Sequence, residues 1–336
     1  MRNNVRIFST CPQSKDVDSG SYRKAVIEIA QWSEQFGCDG ILVYTDNGIV
    51  DPWEVAQIVV ENTENISPLV AVQPAYMHPY TVAKKLSTFA YLYGRRLWIN
   101  MVAGGFINDL LALGDDTPHD ERYSRLVEYT LIIRKLLEDP APVTFEGKYY
   151  SVKNLKMAPP IPADLVPGIT ISGSSDAGMD AAAAIGAIAI RYPQTPEEER
   201  GVPATSPVPV GVRVGIIARD DSEQAWAEAL RRFPEDRKGQ LTHQMAMKSS
   251  DSLWHKQLSE RPKGGPQASS PYWLGPFHNY KTFCPYLVGT YHEVSELIAS
   301  YIRFGFTTFI LDIPHSREEL EHISKVFDLA QEMAEQ

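Results

Sequence analysis

The chain has 336 residues, 43% of them hydrophobic, a net charge of −10 at pH 7 and three cysteines. That length suits one large α/β barrel or two domains, and the acidic balance argues against a nucleic-acid polyanion as the main partner. No apolar run approaches the roughly 18 residues needed to span a bilayer, no secretory apolar segment opens the chain, and Cys11, Cys38 and Cys284 are too scattered for a zinc site, so a cytoplasmic protein with reduced thiols, no metal and no membrane contact is expected.

The spacing predicts a first strand at 5–10 and then a helix over 22–36, with Ala25, Ile29, Trp32 and Phe36 on one stripe and Gly37 as its stop. A strand at 41–44 leads to Asp51-Pro52, an N-cap followed by a proline suited to the first helical position. A third strand at 69–72 is closed by Pro74, and a helix follows over 81–91. The fourth strand, 97–102, ends in Ala103-Gly104-Gly105, where the glycines let the backbone turn and let a ligand approach. A polar segment then enters a helix over 121–137. The stretch 143–152 reads as a small hairpin and 158–167 as a proline-rich connector. The fifth strand, 169–172, runs into Gly173-Ser174-Ser175 and an alanine-rich helix. A sixth strand at 187–190, a proline-rich loop and a seventh strand at 210–218 follow, and a further helix begins near Ser222. The stretch 233–285 is the least regular, with polar helical pieces and then Lys263-Gly264-Gly265-Pro266, and its glycine, serine and proline suggest a mobile insertion. A helix over 294–304, an eighth strand at 307–311 and a helix over 317–335 complete the chain.

Strands alternating with helices give a parallel sheet. Eight units in this length favour a closed (β/α)8 TIM barrel, a single domain over 1–336 with an insertion near strand seven, rather than an open doubly wound sheet. The lack of G-x-G-x-x-G after strand one weakens a dinucleotide-binding reading. In such barrels the chemistry sits at the carboxyl ends of the strands. There, Gly173-Ser174-Ser175 offers backbone N–H groups and hydroxyls to an anion, or simply an N-cap. His119 and Tyr123 are four apart and share a face if the helix has begun by then, where they grip a polar tail or pack. Arg122 and Arg125 read as solvated, or paired with Glu121 or Glu128. Arg213 alternates out of the Val210, Val212, Val214 face and needs either a substrate anion or a carboxylate as partner. His315 follows the eighth strand and is placed for proton transfer or for capping the last helix.

Several blocks taken together resemble the bacterial-luciferase-like flavin monooxygenases, within them the alkanesulfonate monooxygenase branch. They are Asp51-Pro52-Trp53, Asn100 through Gly105, His119-Asp120-Glu121-Arg122-Tyr123, Ser172-Gly173-Ser174-Ser175, Arg213, Gly289-Thr290 and Pro314-His315. The resemblance implies reduced FMN as diffusible co-substrate, a partner flavin reductase, and oxygenation of a small organic substrate through a flavin peroxide. It also implies a homodimer or homotetramer. It assigns Gly173, Ser174, Ser175, His119 and Tyr123 to the FMN phosphate, Asp51, Asn100 and Ala103 to the flavin surroundings, and Arg213 to the mouth of the active site, where Arg213 and, by its position, His315 are the expected catalytic residues. Two other readings of the same barrel are a deazaflavin (F420)-dependent hydride-transfer oxidoreductase and a non-catalytic flavin-binding protein. The chain departs from the branch where its substrate would lie. Ile49 stands in place of a cysteine, Gly215 of a histidine, Ile313 of a tyrosine, Tyr192 of a tryptophan and Tyr280 near an expected arginine. Ala103 replaces a hydroxyl residue beside the flavin. Ile49, Tyr192, Tyr280 and Ile313 are therefore the expected substrate-pocket positions, for a substrate other than an alkanesulfonate.

Overall fold

The computed structural model describes residues 5–335 except 174, 200–207, 250–251, 267 and 269. Its strands are β1 (Arg6–Thr10), β2 (Gly40–Val43), β3 (Ser67–Val72), β4 (Trp98–Val102), β5 (Val143–Glu146), β6 (Ser151–Leu155), β7 (Gly168–Ser172), β8 (Ile188–Arg191), β9 (Val210–Arg219), β10 (Tyr272–Trp273), β11 (Tyr286–Thr290) and β12 (Phe306–Leu311). The helices are α1 (Ser19–Gln35), α2 (Pro52–Glu61), α3 (Pro79–Tyr93), α4 (Ile107–Ala112), α5 (His119–Glu138), α6 (Asp176–Ile185), α7 (Pro196–Glu199), α8 (Ser222–Arg232), α9 (Arg237–Ser249), α10 (Leu253–Ser259), α11 (Gly275–His278), α12 (Tyr291–Arg303) and α13 (Arg317–Glu335).

Strands β1, β2, β3, β4, β7, β8, β9 and β12 pair in parallel in that order, and β12 returns to β1, which closes an eight-stranded barrel. The sheet closes because each strand is an apolar run bounded by turn residues and each crossover helix covers it from outside. Side chains fill the interior: Phe8, Leu42, Leu69, Trp98, Ile188, Ile190 and Ile310 form one buried cluster. Large rings face missing side chains across it. A Cβ on Gly168 would lie 2.3 Å from Trp98, and one on Gly40 would lie 2.5 Å from Phe8. Two larger apolar clusters lie between the strands and the outer helices.

Several short elements have no counterpart in the sequence reading. β11 sits in parallel against the second half of β9, Gly215 to Arg219, and β10 joins it antiparallel. Strand β9 thus outruns the barrel, and its upper half carries a small sheet at the rim. The stretch 233–285 between α8 and β11 holds three helices, α9, α10 and α11, in keeping with the polar helical pieces expected there. Short polar helices of this kind have weak sequence periodicity and form because the barrel rim gives them something to pack on. The turn after β4 also contains a short helix, α4. No helix among the described residues is long and apolar enough to cross a membrane.

Candidate active site

The carboxyl ends of β4, β7, β8 and β9 surround a cavity of about 190 Å³, which α10 borders from the insertion. On one wall, β7 ends in Gly173 and α6 begins. Ser175 caps α6 by accepting from the Gly178 N–H at 3.2 Å, which leaves the other first-turn N–H groups for a ligand. Tyr123, buried on α5, lays its ring over this turn so closely that a Cβ on Gly173 would come within 2.3 Å of the hydroxyl. Any side chain there would have to push the Tyr123 ring aside. His119 stands one turn earlier on α5, its ring edge-on to Tyr123 at 5.2 Å, with Nδ1 2.7 Å from Asp120 Oδ1. All four of His119, Tyr123, Gly173 and Ser175 line the cavity. Ser174, expected in the same turn, lies outside the described residues.

Below them Asn100 is fixed inside the barrel: its Nδ2 donates to Ser172 Oγ at 3.0 Å and its Oδ1 accepts from Thr170 Oγ1 at 2.8 Å. Ala103, 4% exposed, lines the cavity just past the end of β4.

Arg213 enters from the opposite wall. Its alternation along β9 turns it into the barrel, where its register partner is Ile310 of β12. The guanidinium lies 4.9 Å from the Tyr44 ring centroid and 3.6 Å from Asp312 Oδ1, too far for a hydrogen bond to that carboxylate. Asp312 is thus its ion-pair partner through Oδ1, while Oδ2 accepts from the Tyr286 hydroxyl at 2.8 Å. Nε and Nη2 of Arg213 are buried without a hydrogen-bond partner. A buried guanidinium in that state is under-satisfied and will favour an oxyanion or carbonyl beside it.

Two residues at this site were not singled out in the sequence. His255, on α10, lines the cavity within a nest of rings, stacked on Tyr192 at 6.0 Å and on Phe283 at 5.7 Å. Burial, then the neighbouring His243 and Arg213, lower its pKa to about 4, so the imidazole is neutral near pH 7. Nδ1 of His255 is buried without a partner, and Nε2 is 3.4 Å from the Tyr192 hydroxyl. No sequence motif marks it, because it reaches the site only when the insertion folds across the rim. Arg191, at the end of β8, also lines the cavity but is held by Glu199 at 2.6 Å. Its place at the carboxyl end of a barrel strand was a signal that sequence reasoning passed over.

A family model described as luciferase-like monooxygenase matches residues 4–308. The chain belongs to the luciferase-like monooxygenase family. It is 33% identical over 315 residues, 91% of each chain, to the 4-(gamma-L-glutamylamino)butanoyl-[BtrI acyl-carrier protein] monooxygenase of Niallia circulans. Its fold matches that of long-chain alkane monooxygenase (LadA) with a TM-score of 0.73 at 18% identity, over 100% of this chain and 92% of the other. It also matches the oxygenating constituent of 3,6-diketocamphane monooxygenase of Pseudomonas putida, a type II Baeyer-Villiger enzyme in complex with FMN. That match has a TM-score of 0.70 at 16% identity over 96% of this chain and 97% of the other. This is an oxidoreductase scaffold of the monooxygenase kind, with flavin enzymes among its structural neighbours.

The remaining expected positions fall around this cavity or away from it. Tyr192 lines it. Asp51 and Ile49 line a separate cavity of about 520 Å³ beyond β2 and β3, with Gln73 and Tyr76. Asp51 is the N-cap of α2, accepting from the Trp53 N–H at 2.8 Å. Tyr280 lies outside the lining, with a backbone φ of 55° and its ring edge-on to Phe283. Ile313 packs against the core between barrel and helices. His315 is exposed and does not line the cavity, because the chain leaves the rim after Asp312. Burial and then Arg232 and Arg231 hold its pKa below the usual histidine value. Arg122 and Arg125 are neither solvated nor paired with Glu121 or Glu128. Arg122 is 1% exposed and donates to the Thr117 carbonyl at 3.1 Å. Arg125 pairs with Asp115 at 2.6 Å. Glu121 and Glu128 instead hold the hairpin turn, Glu121 through Lys148 and Glu128 through the N–H groups of Lys148 and Tyr149.

Proposed function

We propose that this chain is a monooxygenase that uses reduced FMN, supplied by a separate flavin reductase, and O2 to oxygenate the acyl part of a carrier-bound thioester. The observation that carries this reading is the sharing of one cavity by an anion-accepting turn and a buried, under-partnered arginine. The residues present suit the cofactor. The Gly173 turn under Tyr123, the free N–H groups at the start of α6, Ser175 and His119 form a donor set for a phosphate monoester. Asn100 and Ala103 underlie the space toward Arg213 and would flank the ring system.

When bound, the reduced flavin supplies the electrons that activate O2. The protein groups do the rest. Arg213 would present its unpartnered N–H donors where negative charge develops on the substrate oxygen. His255, neutral and with one ring nitrogen unpartnered, gives or takes a hydrogen bond on the facing wall. Helix α10 borders the cavity through His255, and its side chain narrows the access of water to the reacting groups. The carrier-bound acyl substrate is suggested by the Niallia relative, whose own substrate is such a thioester.

The test is turnover of a butanoyl-pantetheine thioester with enzymatically reduced FMN in air. Oxygen uptake matched by oxygenated acyl product is expected. Uptake that ends only in hydrogen peroxide would overturn the reading. Anaerobic turnover with reduced deazaflavin would place the chain with hydride-transfer enzymes instead, and tight FMN binding without any turnover would make it a carrier of flavin.

A further inference from the structure

The insertion differs in charge from the rest of the chain. Between 233 and 285 there are seven lysines and arginines against four carboxylates, within a chain whose net charge is −10. Its outermost helix, α9, has two distinct faces. The inner face carries His243, which is buried, lies edge-on to Phe277 at 4.8 Å, and places Nε2 2.9 Å from Ser259 Oγ on α10. The outer face carries Lys238, Leu241, Thr242, Met245 and Lys248, all exposed at helical spacing. Leu241 is 62% and Met245 71% exposed. Arg261, Lys263 and Lys281 pair with Glu198, Glu235 and Asp236, but no ion pair engages Lys238 or Lys248 among the described residues.

An apolar pair bracketed by unpaired lysines is a small docking patch with its own charge preference. A second copy of the chain in a two-fold contact would oppose the same lysines to themselves, which is unfavourable. An acidic partner is complementary. The patch also lies one helix layer outside the catalytic cavity, since α9 packs through His243 on α10 and α10 carries His255 into the cavity wall. Packed helices are about 8–10 Å apart, a distance that the long, flexible phosphopantetheine arm of a carrier protein readily covers.

We propose that the outer face of α9, with Leu241 and Met245 as anchors between Lys238 and Lys248, docks an acidic acyl-carrier protein that presents the substrate as a thioester. The site rests on the carrier-thioester reading above and adds where the carrier sits. Docking is transient, as a carrier that must deliver and leave requires, and weakens as salt screens the lysines.

The experiment titrates the full-length protein into a fluorescently labelled, acidic bacterial holo-acyl-carrier protein and reads anisotropy. The double variant Lys238→Glu/Lys248→Glu should weaken binding at least about tenfold, and Leu241→Ser/Met245→Ser should weaken it similarly. Lys24→Glu, the same reversal on α1, should leave it unchanged. Unchanged melting temperature and FMN affinity establish that the variants are folded. Turnover of the free pantetheine thioester should be equal in all of them, so loss of that activity throughout reports failure of the oxygenase reading, separately from docking. Equal carrier binding by wild type and both double variants overturns the proposal. So does an outcome in which the α9 variants lose self-association or flavin-reductase binding while carrier binding stays intact.

Discussion

Arg213 owes its direction to the period-two alternation of β9, which the sequence displays, and its strength to surroundings that it does not display. Asp312 balances its charge as an ion pair at 3.6 Å but makes no hydrogen bond to it, so Nε and Nη2 keep their donor capacity. Arg213→Met should therefore cut kcat/KM about 100-fold with FMN affinity unchanged, the pattern of a donor used in the transition state, read by steady-state kinetics beside a flavin titration. His255 makes a different prediction. Its ordinary pKa of 6.5 falls to about 4 in the fold, chiefly through burial. As pH drops below about 6.5 the unfolded chain takes the proton while the folded chain does not until about 4, so stability is lost across that window. Thermal unfolding at pH 7 and pH 4.5 should show a smaller loss of Tm in His255→Gln than in wild type. An equal loss would place the acid sensitivity elsewhere.

At the scale of elements, the strands of the barrel were readable because each is an apolar run with glycine, proline or a cap beside it. Asp51-Pro52 illustrates a local rule that tertiary structure left intact, since Asp51 caps α2 as its spacing demands. Asp51→Ala should cost about 1 kcal/mol in a urea titration and leave FMN affinity unchanged. A clear loss of FMN binding would return Asp51 to the cofactor. β11 was not readable: its five residues form a strand only because β9 runs past the barrel and offers a free edge. Arg122 shows the same limit in reverse. Its place on α5 beside charged neighbours reads as surface, but the turn at Thr117 folds over it and supplies a carbonyl. No short-range pattern encodes that cover.

Across the whole molecule, closure depends on contacts between distant segments. Glu319 of α13, 3% exposed, pairs with Arg219 at the end of β9 and with Arg232 at the end of α8. Removing it strands two guanidiniums in the interior, so Glu319→Ala should cost about 3–5 kcal/mol in a denaturant titration. A cost below about 1 kcal/mol would mean that water already solvates the cluster. The sequence by itself determined the eight-unit barrel, the turn that begins α6 and the inward direction of Arg213, because strand period, glycine placement and caps act over a few residues. Only the tertiary structure decided that Tyr123 roofs Gly173, that His315 leaves the site and that His255 enters it. Those placements depend on how far-apart segments cross the rim of the barrel, and burial there is a property of neighbours rather than of spacing along the chain.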